Sequence, residues 1–195
     1  MDETKTGGLG RAFRTYVDIV LFRKGPEDLP ASQLLLILTI AANVLLTLIL
    51  SAALPLPDHN RVAVAGVGVA FVLAWYWALL RVAGRPARFL QTATAVFGFE
   101  LILLPAYGLV RMLHPEQPGE LVYRVPILLL GAVIEIWTLA VNGRIVRSAT
   151  QWSLPVSVAV VLIQLLTHLL LVSTLFPDAL GIAADAPAAA PAPAR

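Results

Sequence analysis

The 195-residue chain contains no cysteine. That absence removes disulfides, thiol nucleophiles and cysteine-ligated metals, and it leaves the redox compartment unreadable. Charge is nearly as scarce. Asp, Glu, Lys and Arg make up 13% of the residues, about half the ~25% of an average soluble domain. Hydrophobic residues make up 58% and the mean hydropathy is +0.82, the balance of a protein dissolved in lipid. The net charge is only +2 with scattered basic residues, so there is no phosphate-tracking stripe and no nucleic-acid partner is expected. No HExxH zinc helix, Gly-x-Ser-x-Gly elbow or phosphate-cradling glycine loop occurs. The expectation is therefore a non-enzymatic protein without a cofactor.

Long apolar runs are what the chain does have. Five of them, Gln33–Leu54, Val62–Leu80, Phe89–Met112, Val125–Gly143 and Leu154–Phe176, approach the ~20 helical residues needed to cross a bilayer. They are continuously apolar where barrel strands would alternate. Prolines punctuate their ends: Pro55 and Pro177 follow the first and last runs, while Pro126 and Pro155 suit first turns. Pro105 and Gly108 fall inside the third, where neighbouring helices can satisfy freed carbonyls. The predicted fold is all-α and polytopic, with five transmembrane helices preceded by an interfacial amphipathic helix. Residues 1–32 form a cytoplasmic N-terminal segment, 33–176 the transmembrane domain, and 177–195 an Ala/Pro-rich tail expected to be disordered. No cleaved signal peptide is expected, and the first span would act as an uncleaved anchor. The 12 Arg to 2 Lys balance, with abundant Ala, Leu and Val, associates with high-GC bacterial coding and hence with an inner membrane.

Ten basic residues fall in the N-terminal segment and in the loops after spans two and four, among them Arg11, Arg14, Arg85 and Arg88. Only Arg61, Arg111, Arg124 and Arg195 fall on the other side. The positive-inside rule then predicts a cytoplasmic N-terminus and an outer C-terminus. Before the first span, Phe13, Tyr16, Val17, Val20 and Leu21 share one helical face. Arg11, Arg14, Thr15 and Asp18 oppose them, with Phe22 an intruder. This pattern predicts a helix in the interface, with Arg11 and Arg14 on anionic lipid headgroups; a helix docked on protein is the alternative. Gly25, Pro26 and Pro30 would break it, and Asp28 or Ser32 could cap the first span.

Two glutamates interrupt the hydrocarbon, in "GFELIL" (Glu100) and "IEIW" (Glu135). Counted at ~1.5 Å per residue from the cytoplasmic ends, Asn43, Glu100, Glu135 and Gln164 all lie roughly 14–18 Å deep, near the midplane of a ~30 Å layer. His168 lies one turn beyond Gln164. Supporting polar positions are Thr39 and Thr47 with Ser51 in span one, Tyr107 in span three, Thr138 and Asn142 in span four, and Ser157 and Thr167 in span five. In span two, Gly66, Ala70, Ala74 and Ala78 form a small-residue ridge predicted to let helices approach. Trp75, Tyr76, Trp77 and Trp152 suit a boundary belt, and His59 and His114 suit solvated loops. The polar stripes are expected to face one another. Two interpretations are open: a buried hydrogen-bonded network, or a proton- or cation-handling site with His168 as relay. Glu100, Glu135 and His168 also leave a three-ligand metal site open.

The stretches "RKGPEDLP" and "RPARFLQTATAVFG", with Pro105, five tightly spaced helices and a short outer tail, resemble the Yip1-like membrane proteins over residues 23–176. The resemblance implies a non-enzymatic multispanning protein that works through interaction or membrane organisation; eukaryotic Yip1 proteins act in vesicle traffic with prenylated small GTPases. The Asp-Leu-Tyr-Gly-Pro motif of those members does not occur here. Expected partners are the bilayer and either a second copy or another membrane protein. A proton- or cation-coupled transporter or channel is the alternative.

Overall fold

A computed structural model describes residues 3–53, 60–113 and 121–177, and the tail from residue 178 on, His59 and His114 lie outside them. The described residues form six α-helices and no strand: α1 (Glu3–Val20), α2 (Gln33–Ala53), α3 (Arg61–Val82), α4 (Phe89–Met112), α5 (Leu121–Thr150) and α6 (Leu154–Leu175). All but α1 are long and apolar enough to cross a bilayer. The architecture is that of an all-α, multi-pass membrane protein.

The centre is α4. In its span 44% of the most apolar window is buried, against 11–22% in the others, and it packs on α1, α2, α3 and α5. Residues Thr92 to Phe99 are enclosed on every side. Small side chains make this possible. The Tyr16 ring lies where a Cβ on Gly98 would stand, and Leu50 approaches to 2.9 Å of one on Gly108. Thr92 and Thr94 spend their hydroxyls inside the helix, donating to the Arg88 and Leu90 carbonyls at 2.9 and 2.7 Å. They are buried without needing a partner on another helix.

At 30 residues α5 is ~45 Å long, more than one bilayer core requires. It starts at Leu121, so Pro126 lies inside it and not in its first turn, and it continues seven residues past Gly143. Arg144 and Arg147 are therefore helical, not loop, residues. Arg88 closes the far end by donating to the Ser148 carbonyl at 2.6 Å and, more weakly, to that of Ala149 at 3.4 Å, a cation placed where the helix dipole is negative. A short turn through Gln151 (φ 65°) then reverses the chain into α6, whose first turn holds Pro155. Ser32, not Asp28, caps α2 by accepting the Leu35 N–H at 3.3 Å; the Asp28 carboxylate accepts from Gly25 at 2.9 Å.

The face α1 buries differs from the expected one. Ala12, Thr15, Tyr16, Ile19 and Val20 are buried, while Phe13 and Leu21 remain 54% and 44% exposed. The buried stripe runs against α4 because the Tyr16 hydroxyl bonds Thr39 of α2 at 2.7 Å and its ring needs Gly98. The break also comes earlier than Gly25. The N–H of Arg23 reaches back to the Asp18 carbonyl at 2.8 Å around Phe22 at φ 59°. This left-handed closure costs a non-glycine residue roughly 1–2 kcal/mol. Contacts hold it: the Phe22 ring meets Trp137 edge-on at 5.1 Å, and the Trp137 indole N–H donates to the Val20 carbonyl at 3.0 Å.

Candidate functional site

Beyond the enclosed half of α4, the helices part around a half-open cavity of about 460 Å³. Its wall is largely apolar, from Val69, Val72, Phe97, Phe99 and Leu139 among others. Into it project Asn43 and Thr47 from α2, Glu100 from α4, Glu135, Thr138 and Asn142 from α5, and Gln164 and His168 from α6. The five polar side chains singled out in the sequence thus share one space. Five supporting residues, Thr39, Ser51, Tyr107, Ser157 and Thr167, do not line it. Thr39 faces α1 through Tyr16, and Tyr107 stands behind the wall, its hydroxyl bonded to Thr138 at 2.6 Å.

Asn43 is buried and donates to the Phe97 carbonyl at 3.3 Å, tying α2 to α4. The carboxyl group of Glu100, a half-buried residue, lies beside it. Glu135 is not buried. It is exposed on α5 with its carboxyl group near the Tyr107 hydroxyl, so it stands where the cavity opens outward. His168 stacks on Phe71, ring centroids 5.1 Å apart and planes 11° from parallel. Its Nε2 is buried and has no hydrogen-bond partner among the described residues, lying 3.6 Å from where a Cβ on Gly68 would stand. An orphaned imidazole nitrogen is costly in an apolar wall and is open to a proton, a water or a ligand. Thr167 is exposed and donates to its own helix at Ile163, and Ser51 likewise bonds Leu48, so neither joins the cluster. Glu100, Glu135 and His168 line the cavity without converging as metal ligands; among the described residues no three His, Asp or Glu side chains do so.

The strongest polar node was assigned elsewhere by the sequence. Tyr76 is 0% exposed, and its hydroxyl lies 2.6 Å from Asn142 Oδ1 and 3.0 Å from Gln164 Oε1. It is no boundary anchor but joins α3 to α5 and α6. A phenol carries one proton, so it donates to one amide, and the other amide is satisfied when turned to donate its NH₂ to the phenol oxygen. The available signal was periodicity. Val72, Tyr76 and Leu80, the buried residues of α3, recur every four positions. The ridge of Gly66, Ala70, Ala74 and Ala78 lies two residues out of phase, about 200° around the helix. All four ridge residues are exposed, so the ridge faces outward and not into the bundle as expected.

No family model, curated protein or solved structure matches the chain.

Proposed function

We propose that this multi-pass protein binds a proton or small cation in the midplane cavity and passes it through the membrane, as a coupled transporter or a channel. The observation that carries this reading is the convergence of Asn43, Glu100, Glu135, Gln164 and His168, from four helices, on one half-open cavity. Ionisable side chains at membrane depth are expensive, and those that face a shared cavity mark ion and proton pathways. Glu135 at the opening and Glu100 further in provide two stations, with the orphaned His168 nitrogen nearby as a relay. A purely structural network would not leave the buried His168 nitrogen unpaired. The reading involves no catalytic step. The ten-to-four distribution of basic residues supports a cytoplasmic N-terminus, and the 12 Arg to 2 Lys balance associates with a bacterial inner membrane.

The test is proton and cation flux in proteoliposomes with wild type, Glu100→Gln and Glu135→Gln. Gln keeps the shape and hydrogen-bonding capacity while removing titration, so both variants should fold and lose flux. Flux undiminished in both variants refutes the reading, as does a folded wild type silent across a wide ion and pH screen.

A second reading, interaction or membrane organisation of the Yip1-like kind, draws on the outward ridge of α3. No atom lies within 4 Å of where a Cβ on Gly66 would stand, and small-residue ridges suit close packing against another helix. The cysteine-free chain makes Ala74→Cys a clean probe: disulfide-linked dimers in native membranes would favour this reading, and their absence would count against α3 as the contact.

A further inference from the structure

A second concavity, of about 800 Å³, lies on the outside of the bundle where α5 turns into α6 and the end of α1 meets them. Its composition changes along its length. At the deeper end are Ala140 and Val158; at the end nearest the turn are Ser148, Gln151 and Ser153, with Trp152 and Leu154 beside them. Arg144 and Arg147 lie between, three residues apart on one face of α5 and both exposed. Arg144 is positioned over the Phe22 ring, 5.6 Å from its centroid. Among the described residues neither arginine forms an ion pair; the nearby Glu27 carboxylate is taken by the Ser148 hydroxyl. Ser153 begins α6 without a side-chain cap, and of its first turn the Leu154 and Val156 N–H groups, Pro155 having none, lie at the end where helix geometry favours an anion.

We propose that this groove holds the headgroup of an anionic phospholipid, its phosphate between Arg144 and Arg147 and an acyl chain along Ala140 and Val158. The order of the lining argues for an amphiphile over a free anion. A soluble phosphate has no use for the apolar end, and a zwitterionic lipid adds a cation beside two arginines. Basic pockets between membrane helices suit acidic headgroups for the same reason. The site is separate from the midplane cavity and stands or falls independently of it.

Native mass spectrometry of the full-length protein, released from bilayers containing equal phosphatidylglycerol and phosphatidylcholine, reads the preference directly. Wild type should retain phosphatidylglycerol over phosphatidylcholine. Arg144→Gln and Arg147→Gln should each lower that retention about five-fold and together about thirty-fold. Arg81→Gln with Arg85→Gln, the same charge loss outside the groove, should leave it unchanged. Ala140→Trp keeps both arginines and blocks the apolar end, and it should lower retention as well. An absent preference in wild type overturns the proposal, and so does a preference surviving in the folded Arg144/Arg147 double variant. Displacement of phosphatidylglycerol by equimolar glycerol phosphate, or full retention in Ala140→Trp, would make the ligand a bare phosphate and overturn the lipid assignment.

Discussion

Tyr76→Phe isolates one oxygen atom. The ring is fully enclosed and keeps its volume, so packing is conserved and only the hydroxyl's links to Asn142 and Gln164 are lost. Interhelical hydrogen bonds in membranes average ~0.6 kcal/mol and reach ~1.7. Two of them set an expected loss of about 1 kcal/mol, with a ceiling of about 3. The lower figure is favoured because both amides accompany the same hydroxyl and can turn toward each other once it is gone. The assay is reversible unfolding in bicelles, run as a double-mutant cycle with Gln164→Leu. Residues sharing a hydrogen bond should show a coupling of at least ~0.5 kcal/mol, whereas independent sites add to within ~0.3–0.5. A boundary tyrosine would show no coupling to α6. A folded Tyr76→Phe protein of unchanged stability, with zero coupling, would refute the three-helix node.

Three further outcomes follow from the packing around α1 and α5. Gly98→Val places a branched side chain where the Tyr16 ring lies and should cost roughly 1–3 kcal/mol by overpacking, read as faster proteolysis within α1; unchanged protection would contradict the docking. Burial holds the Tyr16 phenol above its ordinary value of 10.0, so docking is at full strength below pH 10 and weakens as pH rises through that value. Protease sensitivity of α1 should thus climb above pH 10 in wild type and lose that dependence in Tyr16→Phe. Arg88→Gln removes the cationic donor from the Ser148 and Ala149 carbonyls, worth about 1.5–3 kcal/mol for a charge-assisted bond. Amide exchange in the last turn of α5 should accelerate while α3 is unaffected.

The spans were legible because twenty consecutive apolar residues have few other physical meanings, and the gathering of Asn43, Glu100, Glu135, Gln164 and His168 followed from depth counting together with the polar stripes. Rotation was harder to read. A helix in lipid has apolar residues on both its inner and outer faces, so hydrophobicity no longer tells them apart. On α3 the small ridge and the Val72–Tyr76–Leu80 stripe were both credible inner faces, and only tertiary packing decides between them. The same difficulty turned α1. Its most apolar stripe includes the exposed Phe13, whereas the buried one includes Thr15, which satisfies its hydroxyl on Arg11 at 3.0 Å. Glu135 carried no sequence signal for exposure, since nothing local records where a cavity opens. The length of α5 was underread because Arg144 and Arg147 resemble a loop by charge while keeping helical propensity.

The link between Val20 and Trp137 spans 117 residues and has a consequence for biosynthesis. The N-terminal helix emerges first, but its docking surface on α4 and its tether on α5 do not yet exist. At ~5–20 residues per second, Val20 waits roughly 6–23 s for Trp137 to be made. Tyr16 is covered sooner, since its partners Thr39 and Gly98 precede Trp137 in the chain, but the Val20 end of α1 stays untethered throughout that interval. The docking of α1 is therefore completed in stages, its last tether being fastened only once α5 has formed. A ribosome stalled before Trp137 would carry a chain whose Val20–Phe22 end is still accessible to protease.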